Sequence, residues 1–381
     1  MGIDFALSDQ QETLETTFAR FFAAESSVAV VRASEPLVFD AELWTKLDAM
    51  DAGSIRADGA TLSDLVVIAE RAGSSMAPVP LVEHWVATQI LAAHGLTASG
   101  QTVGPSADAP IGSAPSPSTP SAPAPSAVDA LAGTSIATVA LSPAMDGVWR
   151  LVPAGAVADV VVGIDGDELM AVRAEPPMEA PTNHASMPMA DRPSTDGERV
   201  ILGRLDPDSS TTFLSKPLSL HQQAINEWRL LTAASLLGIA TEALALGVAY
   251  VNERQQFGRP IGAYQSIQHG LADLPAMIDG ARSLTHKAAW AADTGLVDGA
   301  GEIDMDRGLI TECGPLASMA FLAAGDAAAA ATERSLHYHG GYGFSKEYDI
   351  QLLFRRARGW AHVGGNPEIE RARLADMLWP R

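Results

Sequence analysis

The spacing of apolar residues changes along the chain, and each change predicts a different kind of structure. Up to about residue 97, apolar side chains recur every three or four positions, which is typical of amphipathic helices. Ser8 or Asp9 is placed to cap the first helix. Its apolar face consists of Leu14, Phe18, Phe21 and Phe22. Two further helices are predicted in LSDLVVIAERAGSSM and PLVEHWVATQILAAHG.

Residues 101–129 consist mainly of Pro, Ser and Ala, with no large apolar residue between Ile111 and Val128. Such a segment buries too little surface to offset its chain entropy, so we predict a loop or linker. The chain then turns to short Val- and Ile-rich segments separated by Gly, Pro and Asp. These segments, SIATVAL, GVWRLVP, ADVVVGID and ELMAVRA, predict a small β domain over residues 130–210.

From residue 215 to residue 381 the pattern is helical again. Predicted helices cover residues 219–254, 264–294, 308–337 and 366–379, and Gly or Pro stands between them. Several long helices with such breaks predict an antiparallel four-helix bundle. The predicted fold class is therefore α+β and mostly helical: a helical N-terminal domain (1–100), a small β middle domain and a C-terminal bundle.

Composition narrows the possible partners. The formal net charge of -21 disfavours nucleic acid, because no basic patch could offset that field. Cys313 is the only cysteine, so no intrachain disulfide or multi-cysteine metal site can form, and we expect no metal. The N-terminus does not resemble a signal peptide, and charged residues interrupt the apolar helices, which predicts a cytoplasmic protein that does not enter a membrane.

Two motifs could bind a phosphate-bearing ligand. In NERQQFGRPIGAYQ the helical pattern breaks at Gly258, which places Arg254, Phe257 and Gln265 around one bend, where Arg could bind a phosphate bidentately. In HYHGGYGF, which starts at His337, three glycines predict a turn with exposed backbone N–H groups. These glycines are Gly340, Gly341 and Gly343. Taken in isolation, the two motifs are better explained by a helix corner with a solvated arginine and by an ordinary helix C-cap.

Together the two motifs resemble those of the flavin-dependent acyl-CoA dehydrogenases, whose R-x-x-F-G-x-x-x-x-x-x-Q pattern matches Arg254, Phe257, Gly258 and Gln265. The resemblance implies the domain order predicted above, an acyl-CoA thioester substrate and FAD as cofactor. It places Arg254 and Phe257 at the pyrophosphate and adenine end of an FAD held mainly by a neighbouring subunit. Gln265, His337 and the glycine turn lie against the same cofactor, with His337 standing where the family usually has Gln. An electron-transfer flavoprotein-like acceptor is implied as well.

The resemblance fails at the catalytic base. The family's usual glutamate position falls on Gly364, and an alternative position on the helix before the arginine motif falls on Trp228. Glu227 is a candidate base, but it is one residue out of register and therefore rotated by about 100° on a helix, which favours a surface or interface carboxylate. Glu368 is another candidate, but it lies beyond the Gly364 turn and would need the loop to fold back. Arg229 matches a family arginine near the reacting thioester.

The middle domain also differs from the family's sequence pattern, since ALSPAMDGVW retains only Ser142 and Pro143 of the family's T-E-P-x-x-G-S-D run. Ser142 could contact a flavin or simply end a strand. The chain thus resembles the subunit without a base in heteromeric acyl-CoA dehydrogenases. Actinobacterial members of this kind, many acting on steroid side-chain thioesters, pair such a subunit with one that has the base. Two alternatives remain: a self-sufficient homo-oligomer with a non-standard base, and a flavin-free scaffold.

Overall fold

A computed structural model describes residues 6–94, 135–204, 216–294, 303–304, 309–310 and 313–379. The predicted linker at 101–129 lies outside the described residues and remains a prediction.

The N-terminal part is helical, as predicted. Its helices are α1 (Asp9–Glu25), α2 (Val28–Ala33), α3 (Ala41–Asp48), α4 (Leu62–Ser74) and α5 (Leu81–Ala92). Ser8 is the N-cap of α1 and forms a capping box with Gln11, which satisfies two backbone donors at the helix start. Phe18 and Phe22 are buried on the predicted face. The sequence analysis missed α2 and α3, which are too short to show a clear period.

The middle part is a small β structure. Its strands are β1 (Ala137–Val139), β2 (Val148–Val152), β3 (Val160–Asp165), β4 (Glu168–Arg173), β5 (Ala190–Pro193) and β6 (Glu198–Arg204). One sheet has the order β1-β3-β4-β6, in which β1 and β3 are parallel and the other pairs antiparallel, and β2 pairs with β5. The first four strands were predicted. The last two were not predicted: ADRP is short and mostly polar, and β6 is a largely exposed edge strand without a clear alternation of apolar and polar residues.

The C-terminal part is a helical bundle. Its helices are α6 (Lys216–Glu253), α7 (Gln265–Asp293), α8 (Cys313–His339), α9 (Ile350–Val363) and α10 (Pro367–Leu378). Two-residue strand pairs connect them: β7 (Gln255–Gln256) with β8 (Arg259–Pro260), and β9 (Ile303–Asp304) with β10 (Leu309–Ile310). The helix predicted at 308–337 starts later, at Cys313, and α9 was not predicted. The predicted fold class is nevertheless confirmed: the chain is mostly helical with small sheets.

The N-terminal helices dock closely on the bundle because two glycines allow backbones to touch. A Cβ on Gly238 of α6 would lie 2.0 Å from the carbonyl oxygen of Glu70 in α4. A Cβ on Gly73 of α4 would lie 2.1 Å from the carbonyl oxygen of Ser235. Any side chain at either position would force the helices apart, so these glycines fix how α4 crosses α6.

Within the part of the chain that the structure describes, two helices are long and apolar enough to cross a bilayer by length and composition: Leu220–Glu253 and Cys313–Phe344. The expectation that charged residues interrupt the apolar helices before that length is therefore wrong for them. In each, 67% of the most apolar window is buried within the chain, and α6 packs extensively on α8. Core packing accounts for their composition.

Candidate functional site

The Arg-Phe motif forms an exposed corner between α6 and α7. Arg254 follows the last residue of α6, and its carbonyl oxygen accepts a hydrogen bond from the Ile261 N–H at 2.8 Å, which closes the corner. The turn places Phe257 and Gly258 at positive φ, 53° and 80°. Positive φ is uncommon for a phenylalanine, and it directs the ring outwards: Phe257 is 92% exposed.

The glycine motif lies at the end of α8. Residues Gly340–Phe344 form a 3-10 turn, and Gly340 has a φ of 63°. A Cβ added at Gly340 or Gly341 would meet nothing within 4 Å, so a ligand can approach this backbone. Gly343 differs, since a Cβ there would lie 2.6 Å from the carbonyl oxygen of Leu336. Gly343 is therefore needed for the turn itself.

The fold brings the two motifs together. The Arg254 guanidinium carbon lies 5.7 Å from the centre of the Tyr342 ring in the glycine turn. Nearby, Tyr250 of α6 stacks on His339 of α8 at 4.0 Å, so the ends of both helices are held in register. We call the exposed surface formed by Arg254, Phe257, Arg259, Tyr342, Phe344 and the open glycines the corner surface.

Gln265 and His337 lie at the same end of the bundle. Gln265 is the first residue of α7 and contacts His269 at 3.3 Å. His337, in the last turn of α8, is exposed beside Tyr338. The Tyr338 hydroxyl would lie 2.0 Å from a Cβ on Gly270 of α7, so the two helix ends meet there.

The corner surface offers positive charge without a counter-ion. Arg254 and Arg259 are exposed, and neither has an ion pair among the described residues. Arg259 stacks over the Tyr264 ring at 4.1 Å. In a chain with a net charge of -21, two unpaired guanidinium groups with aromatic neighbours favour a phosphate-bearing ligand with a flat ring.

The two positions considered for a catalytic base lie against each other. A Cβ on Gly364 would be 2.9 Å from Cζ3 of Trp228. Trp228 is 1% exposed, packs 5.7 Å from the Phe321 ring and donates its indole N–H to Glu83 Oε1 at 3.2 Å. The indole ring therefore occupies the space that an acidic side chain at either position would need.

The other acidic candidates are engaged elsewhere. Glu227 accepts a hydrogen bond from Arg56 at 2.9 Å, and burial raises its pKa despite that partner. Its carboxylate thus joins α6 to the N-terminal part. Glu368 has an exposed side chain and pairs with Arg371 at 2.7 Å.

Arg229 is paired within the chain. Its guanidinium donates to Glu370 of α10 at 2.9 Å, and Ser318 donates to the same carboxylate at 2.5 Å. Burial lowers the pKa of Arg229 to about 10. The predicted substrate role of Arg229 therefore competes with an ion pair that sequence reasoning could not see.

The middle domain contributes a short turn at the position of the family's flavin-binding run. Ser142 is exposed after β1, and Met145 bridges to Val148 across a tight reversal. Asp146 and Gly147 form that reversal with φ values of 52° and 71°. This reversal lacks the Gly-Ser-Asp part of the family's run, which the resemblance assigns to holding the flavin ring. Among the residues that the structure describes, no group of three or more His, Cys, Asp or Glu is placed to hold a metal ion.

Comparison with known proteins gives one family. Residues 218–378 match the model for the acyl-CoA dehydrogenase C-terminal domain. The acyl-CoA dehydrogenase IpdE2 of Mycolicibacterium smegmatis is 27% identical over 378 residues, covering 97% of this chain and 98% of the relative.

Solved structures share the fold. The ChsE4-ChsE5 complex of Mycobacterium tuberculosis superposes with a TM-score of 0.72 and 21% identity, covering all of both chains. A glutaryl-CoA dehydrogenase of Mycobacterium smegmatis in complex with FADH2 gives a TM-score of 0.71 at 14% identity, covering 98% of this chain and 96% of that chain.

Proposed function

From the match of residues 218–378 to the acyl-CoA dehydrogenase C-terminal domain and the full-length similarity to a relative of that family, we propose that this chain is a subunit of an FAD-dependent acyl-CoA dehydrogenase that lacks its own catalytic base. It completes the FAD site of a partner subunit, which supplies the base. The substrate class is an acyl-CoA thioester, desaturated between its α and β carbons.

The contact between Trp228 and Gly364 is the observation that supports this proposal most. α,β-Desaturation of a thioester needs a base within hydrogen-bond reach of the α-proton. The family supplies that base from positions that correspond here to Trp228 and Gly364, and both positions lie at the same buried indole ring. Glu227 is held by Arg56, and Glu83, the buried carboxyl group beside the ring, accepts the indole N–H of Trp228, so both are engaged in contacts within the chain.

The corner surface fits the adenosine and pyrophosphate half of FAD. Arg254 is free to pair with a phosphate, the backbone at Gly340 and Gly341 is open, and Phe257 and Tyr342 offer ring faces to an adenine. FAD, when bound, accepts the hydride from the β carbon. The short turn at Asp146 and Gly147 makes a flavin-ring site on this chain unfavourable, so the ring belongs with the partner.

An exposed, aromatic corner surface also favours association. Phe257 and Phe344 are 92% and 72% exposed, which is unusual for such large apolar rings. A partner that brings the other half of an FAD site would cover them. Assembly is therefore part of the function: each subunit offers only a fraction of the site.

Flavin retention by an Arg254 variant tests this role. In the assembly of this chain with its partner subunit, Arg254→Ala is expected to weaken FAD binding by roughly 1.5 to 3 kcal/mol, or ten- to a hundredfold, through loss of a charge-assisted hydrogen bond. Arg254→Lys should recover only part of the lost FAD binding free energy, because an ammonium group lacks the planar, two-pronged donor geometry of a guanidinium. The FAD dissociation constant is measured by fluorescence on dilution.

Arg199→Ala is the matched control, since Arg199 on β6 is also exposed and has no ion pair among the described residues. It should leave FAD binding unchanged. Equal FAD affinity in the Arg254→Ala and parent assemblies would refute the assignment of Arg254. An assembly that never contains flavin would instead favour the scaffold alternative.

A further inference from the structure

A cavity of about 60 Å³ lies where the three parts of the chain meet. Its walls come from α4, the α4–α5 turn and α5, from the β domain near Ser186, from α6 at Thr232, and from α9. Most of this lining is apolar and includes Leu81 and Trp360. Neither Arg254 nor Gly364 lines it, so the cavity is separate from the corner surface.

Arg356 of α9 is the unusual residue in that lining. It is 1% exposed, and its Nη2 atom contacts no acceptor. Its Nη1 atom donates only to the Leu352 carbonyl oxygen, at 3.4 Å on its own helix. A buried guanidinium with an unmatched donor is costly unless an anion compensates it.

The nearby carboxylates do not provide that compensation. Glu35 is bound to Arg355 at 2.5 Å, and Glu83, which also lines the cavity, receives the indole N–H of Trp228. Among the described residues Arg356 forms no ion pair within 4 Å. Burial accordingly lowers the pKa of Arg356 to about 10, with Glu35 opposing this only in part.

We propose that this cavity binds a short-chain carboxylate whose carboxylate group pairs with the guanidinium of Arg356 and whose hydrocarbon part lies against the apolar walls. A water-sized probe needs roughly 10 to 15 Å³, so 60 Å³ accommodates about four to six heavy atoms. That size corresponds to acids of two to four carbons. The arginine sets the charge of the ligand, and the cavity sets its length.

Thermal unfolding of the full chain with butyrate tests the proposal. Butyrate at saturating concentration should raise Tm by about 2 °C or more, because a ligand that binds only the folded state stabilises it. Butyramide has nearly the same shape without the charge and should have no effect. Sodium chloride at matched ionic strength controls for a general salt effect. Equal shifts with butyrate and butyramide would overturn the proposal.

Arg356→Met separates ligand binding from a structural role. Methionine removes the uncompensated charge, so this variant should have an equal or higher Tm without ligand and no response to butyrate. Arg358→Met, on the exposed side of the same helix, should keep the response. A variant that is destabilised yet still responds to butyrate would contradict the assignment.

Ala72→Leu is a second probe that keeps the arginine. Ala72 is half-buried and lines the cavity, so a leucine would fill part of it. The butyrate response should fall although Arg356 is intact. Saturation-transfer NMR on the unmodified protein gives an independent readout, and absence of transfer to butyrate would also refute the site.

Discussion

Trp228 places an indole ring where the family resemblance puts a carboxylate. The ring packs beside the Phe321 ring, donates its N–H to the Glu83 carboxyl group and lies where a Cβ at Gly364 would stand. A small residue at 364 and a large one at 228 therefore fill one volume together. Their complementarity has a measurable consequence for stability.

Gly364→Ala is expected to destabilise the protein by about 1 to 3 kcal/mol, because the new Cβ would stand 2.9 Å from a buried ring that cannot move away. The backbone at Gly364, with φ of -77°, accepts alanine without strain, so the contact alone accounts for the loss. In a Trp228→Phe background the shorter ring should relieve most of that penalty. Urea unfolding of both single variants and the double variant measures the coupling.

Gly280→Ala is the control for this cycle. It lies in α7, and a Cβ there would meet nothing within 4 Å. The substitution should stabilise by up to about 1 kcal/mol, as alanine favours a helix over glycine. If Gly364→Ala costs nothing, or costs as much in the Trp228→Phe background, the two residues do not share one packed volume.

The sequence shows which residues stand at positions 228 and 364 but not what they contact. The absence of an acid at 228 and at 364 is visible in the sequence, whereas the contact between them depends on how α6 meets the end of α9. The ion pair between Arg229 and Glu370 is equally long-range. Local patterns predict which residue types are present, and tertiary packing decides what each one touches.

At the scale of elements, α5 is joined to the β domain through a buried histidine. His84 is 3% exposed, and its Nδ1 accepts the Ala137 backbone N–H of β1 at 3.0 Å. The ring must be neutral to accept this bond. Burial lowers the pKa of His84 from 6.5 to about 4.

This histidine should make the fold sensitive to acid. Below pH 6.5 His84 is protonated in the unfolded chain, whereas in the folded chain it stays neutral until about pH 4. Its contribution to the free energy of unfolding is therefore complete above pH 6.5 and is lost as the pH falls towards 4. The free energy of unfolding lost in this way is of the order of 3 kcal/mol. Urea unfolding between pH 7.5 and 4.5 should show a shallower pH dependence for His84→Gln than for the parent. Parallel pH profiles would contradict the role of His84.

Elements with strong periodicity were predictable, and the others were not. The long helices α6 and α7 follow their predicted spans closely, because their lengths give many repeats of the helical period. Helix α9 was not predicted. Its arginines interrupt the apolar pattern, although Ile350, Leu353 and Ala357 form a buried face. Strand β6 was missed because an exposed edge strand needs few apolar residues.

At the scale of the whole molecule, the corner surface differs from the chain as a whole in its charge and in its exposed aromatic rings. The chain is strongly acidic overall, yet its corner surface has unpaired arginines and exposed aromatic rings. The domain order was predictable from periodicity, whereas the end of the bundle that faces a cofactor remains a prediction from the motifs. The arrangement suits a subunit that completes a site across an interface rather than one that encloses a site alone.

The most direct test is turnover by the isolated chain. The purified chain, supplied with FAD, an acyl-CoA thioester panel and an artificial electron acceptor, is compared with the assembly of the same chain and its partner subunit. We expect no turnover and no bleaching of flavin absorbance by the isolated chain, because Trp228 and Gly364 stand at the two positions from which the family supplies its base, and we expect both from the assembly. Bleaching and turnover by the isolated chain at the rate of the assembly would show that it has its own base and would contradict the account.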